Sequence, residues 1–558
     1  MSTVTITKHP LTRNASALIV VVALLAVVPM LVFGNPRGHD FDLQIPGWLE
    51  AEQQLSHGVV FPVWTAGANH GFGAPFFIFY PPLSRTLGAI LGLLLPWNLA
   101  PKCYTWLALA VAGLCMYKLA SEWLARRDAV CAAMLYMFNP YLLLTIYKRS
   151  DYAELLGSAL FPLVIWGAIR VVRAGHDGIF PLAIIFAVLW ITDLPAAVVA
   201  SYSLAGFLVL SAIRFRSIRP LVWGALAIIA GFGLIAFFLL PAAWERQWVN
   251  IAQAVKFVWM PEHNFLFDHT NIPQYVTFNR GLSFFAAIIL TIMVLAVVFT
   301  HEFRRQSPQD WRSLTLFGGL AALMMFPPTL FLYHTLPELH YIQFPWRWLS
   351  PVCVVYALLT AAAMANARHK VLLWSSMALI VLAMAGIIVR TTWWDSDNRR
   401  LYELLAAMPQ HLENNGATWS SPRGSEPSKL NEAAPAVALV NQEGEYSGPS
   451  QISVEQWSAN KKAFSVQSAG PVLVAIKLLN YPGWQARVNR VPAPLSTTSE
   501  TGQMLLALPA GSSKVDIWFG MTTDRKLGLL ISFGTAFSLL LFVWRQARVR
   551  SLLDRPVT

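Results

Sequence analysis

Long apolar runs dominate the sequence, and polar residues are confined to the gaps between them. Runs long enough for membrane helices fall at 16–34, 103–123, 128–147, 152–172, 179–192, 195–213, 219–240, 281–300, 312–333, 347–366, 371–390 and 526–544. The pattern predicts a polytopic α-helical membrane protein with about twelve transmembrane helices. A shorter apolar run at 83–97 follows Pro81-Pro82, which suits the first turn of a helix. Between 391 and 525 the period changes. Apolar and polar residues alternate in Ile452–Trp457 and Lys514–Phe519, and Val472–Leu478 is a short apolar run. These predict strands of a small C-terminal extracytoplasmic β domain. The expected division is a membrane domain over 1–390, with an outer juxtamembrane loop at 35–102. A mostly β domain over 391–525 follows, then a final span and basic tail over 526–558.

Charge decides how 83–97 lies. If it rests on the outer face, Lys8, Arg13, Arg126, Arg127, Arg170 and Arg173 all fall on one side. The basic clusters at 214–219, 304–305, 368–370 and 545–550 join them. That side is cytoplasmic by the positive-inside rule, so both termini are expected in the cytoplasm. If 83–97 spans the bilayer, Arg126-Arg127 moves outside and the bias is lost. The net charge of +12 is therefore explained by loop bias and requires no nucleic acid. Of 558 residues only 13% are charged, about half the soluble average. The four cysteines lie in or beside apolar runs, so no structural disulfide is expected. The first run lacks a small-x-small cleavage site and is expected to stay as an anchor.

The chain has no Walker A loop, no Rossmann fingerprint, no HExxH and no GxSxG. ATP-driven and serine-hydrolase chemistry have no support. What remains is a set of acids, histidines and arginines in the expected outer loops. Asp40 and Asp42 follow the first span and read either as a catalytic base or metal ligand at the mouth of a membrane cavity, or as interfacial acids, solvated or paired with a neighbour such as Arg37. Lys148 and Arg149 break the positive-inside bias, which favours function over headgroup snorkelling. Arg149 and Glu154 are about 140° apart on a continuous helix, so they share a site only if Arg149 precedes the helix. Asp193 reads either as a helix N-cap or as a cavity acid. Further on come His263 and His269, then His340, Trp346 and Arg347. Trp346 suits either an interfacial belt or a sugar-stacking face. Tyr481-Pro482-Gly483-Trp484 reads as a turn with a core aromatic.

Several stretches together resemble a family. They are Gly38-His39-Asp40, Gly58 to Pro62 and Trp64, Gly71-Phe72-Gly73-Ala74-Pro75, Phe79-Tyr80-Pro81-Pro82-Leu83, Gln343-Phe344-Pro345-Trp346-Arg347 and the Tyr-Pro-Gly-Trp stretch. They resemble YfhO-type bacterial membrane proteins and their 6-pyruvoyl-tetrahydropterin synthase related kin, of the wider C-type glycosyltransferase (GT-C) fold. The resemblance implies a GT-C-like enzyme in the bacterial cytoplasmic membrane. It would move a sugar from a polyprenyl-phosphate-linked donor to an envelope glycan, lipid or protein on the extracytoplasmic face. In that fold an acid of the first outer loop activates the acceptor, which points to Asp40 and, second, Asp42. The family also carries Arg-x-x-x-x-Glu, here Arg149 to Glu154. Glycosyl transfer needs cations for the lipid phosphate, and Lys148, Arg149 and Arg347 are the candidates. Glu154, Asp193, His340 and Trp346 complete the expected substrate-binding set. The family often has a second His after the Asp, where this chain has Leu43 and Gln44. No cofactor is therefore assigned; a divalent ion stays open, with His263 and His269 as ligand candidates. The competing readings are a non-catalytic transporter or flippase-like protein for envelope lipids, and a structural partner in an envelope complex.

Overall fold

The first apolar run forms a helix from Arg13 that passes through a 3-10 turn at Ala23–Ala26 and ends at Phe33. Gly34 stops it in a left-handed conformation (φ 94°) that places its Cα against the Asp395 carbonyl, where no Cβ fits. The computed structural model describes residues 13–268, 272–365, 367–407, 418–440 and 451–553. Among these, nine helices are long and apolar enough to cross a membrane, or up to eleven if each of two bent pairs is one span. The bent pairs are Arg219–Leu234 with Ala236–Trp248, at 79°, and Pro308–Leu323 with Pro327–Thr335, at 91°. One stretch of the nine, Tyr152–Trp190, is 39 residues long and turns back at Gly175–Gly178 into two helices packed side by side.

At one end of the bundle, ion pairs tie the connecting turns together. Arg173 bridges Glu122 (2.8 Å) and Asp310 (2.7 Å), and Lys370 meets Asp128 (2.7 Å). This is the end rich in basic residues. The β domain and the expected site loops lie at the other end.

Helix Pro82–Leu94 has 13 residues, too few to span a bilayer. It lies against a helix at Phe41–Ser56, a stretch whose residues suggest only loop. Gly88 permits the contact, since a Cβ there would overlap the Trp48 indole. Phe41, Ile45, Trp48 and Leu49 form the buried stripe of Phe41–Ser56, at the spacing of a helix face.

The expected strands are present as Gln451–Trp457, Val472–Leu479 and Gly511–Phe519. They belong to two antiparallel sheets. One orders Val437–Val440, Val472–Leu479, Gln503–Leu508 and Ser496–Thr497; the other orders Gln451–Trp457, Lys461–Ser468, Gly511–Phe519, Trp484–Val488 and Val491–Ala493. Phe464, Val466, Val515 and Ile517 of the second sheet share a core with Val474, Ile476 and Leu506 of the first. Trp64, Phe72 and Phe79 of the preceding loop enter the same core, so the sandwich sits on that loop. Residues 394–407 stay apart from the sandwich: Trp394–Asp395 pairs with Asn35–Pro36, and helix Arg399–Ala407 packs on Phe41–Ser56. Glu245 locks three parts together, accepting from Arg525 (2.7 and 2.8 Å) of the last helix and from the Tyr481 hydroxyl (2.6 Å).

Candidate functional site

Helix Arg126–Met137 and its continuation Pro140–Leu144 end in a π turn, Thr145–Arg149. A π turn is wider than an α turn and is frequent at functional sites. Ser150 follows in the left-handed region (φ 53°), and the next helix starts at Tyr152. Asp151 caps it, its Oδ1 accepting from the Glu154 N–H (3.0 Å). Arg149 therefore precedes the helix proper, which is the condition for it to meet Glu154. The two form an ion pair.

The Gly38-His39-Asp40 segment runs alongside this turn. The N–H groups of His39 and Asp40 donate to the carbonyls of Lys148 (3.2 Å) and Arg149 (2.7 Å), and Gly38 N–H donates to Ser150 Oγ (3.0 Å). At Gly38 a Cβ would overlap the Arg149 carbonyl, so only glycine allows this approach. The segment's last side chain lands on the guanidinium: Arg149 Nη2 donates to Asp40 Oδ2 (2.9 Å) and to Asp151 Oδ2 (2.9 Å).

A second guanidinium closes the cluster. Arg347 Nε donates to Glu154 Oε2 (2.7 Å) and Nη1 to the Ile342 carbonyl (2.6 Å). Glu154 also accepts the Tyr141 hydroxyl, and Gln44 Nε2 donates to Asp151 Oδ1 (3.0 Å) and Tyr80 Oη (2.8 Å). Aromatic faces cover the cations. Arg149 lies 4.8 Å from the Trp346 ring centre, Arg347 lies 5.0 Å from that of Phe344, and the two rings stack at 4.9 Å. Burial pushes the Asp151 carboxyl up to about 8, against the opposing pull of Arg149. Burial likewise pushes Asp193 up to about 6.

Within this network the side chains of Arg149, Arg347, Asp151 and Glu154 are at most 8% exposed, whereas Asp40 is 27% exposed. Arg149 holds its Oδ2; its Oδ1 has no hydrogen-bond partner among the described residues. Asp40 thus presents one held and one open oxygen at the edge of a buried charge network.

The remaining candidates divide. Trp346 and Glu154 belong to the cluster. Asp193 is the N-cap of Leu194–Phe215, its Oδ2 accepting from Ala196 N–H (2.8 Å), and it also feels the field of Arg347. Asp42 does not join Asp40. The two do not lie on an extended segment, because Asp42 sits in the first turn of Phe41–Ser56. Its carboxylate takes a two-pronged bond from Arg400 (3.0 and 3.1 Å), with Arg37 at 3.7 Å. Arg347 also departs from expectation. Its guanidinium is buried, with Nε on Glu154 and Nη1 on a carbonyl, so it presents no exposed fork to a lipid phosphate. Lys148 is half-buried, contacts the Thr391 carbonyl and has no carboxylate partner among the described residues. His340 lies outside the cluster, its ring on Tyr341. His263 is exposed on a separate loop, and His269 lies outside the described residues.

Among the described residues no group of three or more His, Cys, Asp or Glu side chains is placed to hold a metal ion. Between Asp40 and Asp151, the place a cation would take is filled by the Arg149 guanidinium. The residues at this cluster therefore do not fit a metal. Gln44 and Tyr141 were missed from the sequence. Tyr141 has no motif signal, and Gln44 becomes visible only once Phe41–Ser56 is read as a helix.

Comparison with known proteins places the chain. No curated protein sequence matches it. Among solved structures it is similar to the arabinofuranosyltransferase AftD from Mycobacteria, at 16% identity and TM-score 0.43, over 69% of this chain and 27% of that one. It is also similar to the archaeal oligosaccharyltransferase AglB from Archaeoglobus fulgidus, at 13% identity and TM-score 0.42, over 70% of this chain and 57% of that one. This chain thus spans little more than a quarter of the first and just over half of the second. A family model described as "6-pyruvoyl-tetrahydropterin synthase related domain; membrane protein" matches residues 77–395, from the end of the Gly/Pro-rich loop to the strand at Trp394–Asp395. With more than half its length matched and the Arg149–Glu154–Arg347 cluster inside the match, the chain belongs to the 6-pyruvoyl-tetrahydropterin synthase related family of membrane proteins.

Proposed function

We propose that the protein is a membrane glycosyltransferase. It moves a sugar from a polyprenyl-phosphate-linked donor to a cell-envelope acceptor on the face that carries the β domain. That face is extracytoplasmic and the membrane is the bacterial cytoplasmic membrane. The observation that carries the reading is Asp40: a partly exposed carboxylate, fixed through one oxygen by a buried arginine and open at the other. An acceptor hydroxyl donates to Oδ1 and passes its proton there as its oxygen bonds the anomeric carbon. The bond from that carbon to the lipid phosphate breaks, and the phosphate leaves with the electron pair. Lys148, the cation of this turn without a carboxylate, stabilises the departing phosphate. Arg149 and Arg347 act as positioning residues: they are spent inside the protein and hold Asp40 and Glu154 in place. A transport reading expects charges at mid-span, whereas this cluster occupies helix ends.

The test is mass spectrometry of envelope glycans from cells with and without the protein. One sugar substituent should disappear in its absence and return on complementation. Identical glycan profiles would rule the reading out.

A further inference from the structure

The β domain carries a groove of about 740 Å³ that the reaction site does not use. That volume lies within the range of about 300–1,000 Å³ typical of ligand sites. The groove wraps the Trp484–Val488 and Val491–Ala493 edge of the five-stranded sheet. Its far wall is Gln247-Trp248, from the end of the bent helix pair, and Arg423, whose N–H donates to the Trp248 carbonyl (2.7 Å). It therefore straddles the seam between the β domain and the membrane domain.

The lining has a specific chemistry. Trp248, Arg423, Gln485, Arg487 and Trp518 all present planar donor groups, and none of these side chains has a hydrogen-bond partner among the described residues. Arg487 lies over Trp518 at 5.0 Å from the ring centre, which keeps the guanidinium and the indole together. Asn480 uses its amide nitrogen on Thr497 (2.8 Å), leaving its oxygen as an acceptor. Two arginines line the groove and no carboxylate does; Asp516, the cross-strand neighbour of Arg487, lies outside the lining. Indole faces suit the apolar face of a sugar ring, amides suit its hydroxyls, and guanidinium forks suit an oxyanion.

From this we infer that the groove binds an acidic saccharide, a glycan carrying carboxylate or phosphate groups. Resting on the function proposed above, its role is to hold the acceptor chain beside the membrane so that a terminal hydroxyl reaches Asp40. Tyr481 and Trp484 are buried beneath this groove and serve the core, as the turn reading of that stretch expects.

The test is calorimetric titration of the full-length protein in detergent with three probes. These are tetragalacturonate, maltotetraose phosphorylated at a terminal 6-position, and plain maltotetraose. At least one acidic probe should bind ten-fold or more tightly than the neutral one, and which acid does so identifies the oxyanion. Arg423→Ala and Arg487→Ala, both on exposed side chains, should each weaken that binding at least five-fold, and Trp518→Ala at least ten-fold. Asp40→Asn should bind as wild type does. Absence of binding by all three probes, equal binding of acidic and neutral probes, or unchanged affinity in both arginine variants would overturn the inference. Saccharide binding with unaltered envelope glycans in cells lacking the protein would sink the transferase reading alone. Lost glycan substitution without saccharide binding would sink the groove alone.

Discussion

Two guanidinium groups and a tyrosine hydroxyl converge on Glu154, whose side chain is 1% exposed. Removing its charge leaves Arg149 and Arg347 buried without their shared partner. Breaking a buried pair from one side costs about 3–5 kcal/mol. Glu154→Gln is expected to destabilise the detergent-solubilised protein by that order, read as a lower thermal midpoint, and an unchanged midpoint would remove the cluster's structural role. Asp151 gives a pH signature. Its folded carboxyl is raised to about 8, above the ordinary carboxylate range. Between the ordinary carboxylate value of 3.8 and about 8 the folded state holds a proton that the unfolded chain has lost, so stability falls as pH rises through that window and levels above about 8. Asp151→Asn should flatten this slope between pH 5 and about 8, as read from denaturation midpoints. At this scale the sequence singles out Asp40, Arg149 and Glu154 one by one, because a span end, a basic pair in an outer loop and a fixed spacing each leave a mark in sequence, and the fold brings them together. It misjudged Asp42 and Arg347. A carboxylate and a guanidinium look the same in sequence whether their partner is a ligand or a distant residue such as Arg400.

The elements that bring these residues together are a π turn and a glycine-backed segment. Gly38 has no room for a methyl group, whereas Gly47, inside Phe41–Ser56, has nothing within 4 Å of a built Cβ. Gly38→Ala should push the segment off the Arg149 carbonyl and abolish most activity. Gly47→Ala should leave activity intact and add about 0.5–1 kcal/mol of stability, as alanine replaces glycine in a helix. Equal effects of the two substitutions would show that the close approach is unimportant. Phe41–Ser56 itself was hidden because Pro46-Gly47 interrupts it and the neighbouring Gly, Pro and aromatics read as loop. The alternating strands at 451–457 and 511–519 were legible, since period two survives in sequence, whereas Ser496–Thr497 is too short to leave a pattern.

For the whole molecule, the hydrophobic pattern and the charge bias carried most of the architecture. The apolar helical bundle, a short separate helix at Pro82–Leu94 and the β strands follow from it, although the described residues hold nine to eleven candidate spans where the pattern predicts about twelve. What it left out is the way the parts are joined. Glu245 links three of them through Arg525 and Tyr481, and Trp64 enters the sandwich core from a loop; both are contacts between residues far apart in sequence. Orientation is testable directly. Ser453 on the sandwich and Arg305 at the basic end are both exposed. In intact cells Ser453→Cys should react with an impermeant thiol reagent and Arg305→Cys only after lysis. Labelling of both from outside would break the proposed orientation.

The proposed transfer rests on Asp40 accepting the proton of the sugar acceptor. Its most direct test is sugar transfer from the lipid-linked donor by membranes of cells lacking the native protein and supplied with wild type, Asp40→Asn or Asp42→Asn. Asn keeps the size and the contact to Arg149 but removes the base. Asp40→Asn should lower transfer by about 10²–10⁴-fold at normal expression. Asp42→Asn should keep near wild-type transfer and lose at most about 1 kcal/mol with its surface pair to Arg400. Wild-type transfer by Asp40→Asn, with or without loss in Asp42→Asn, would contradict it.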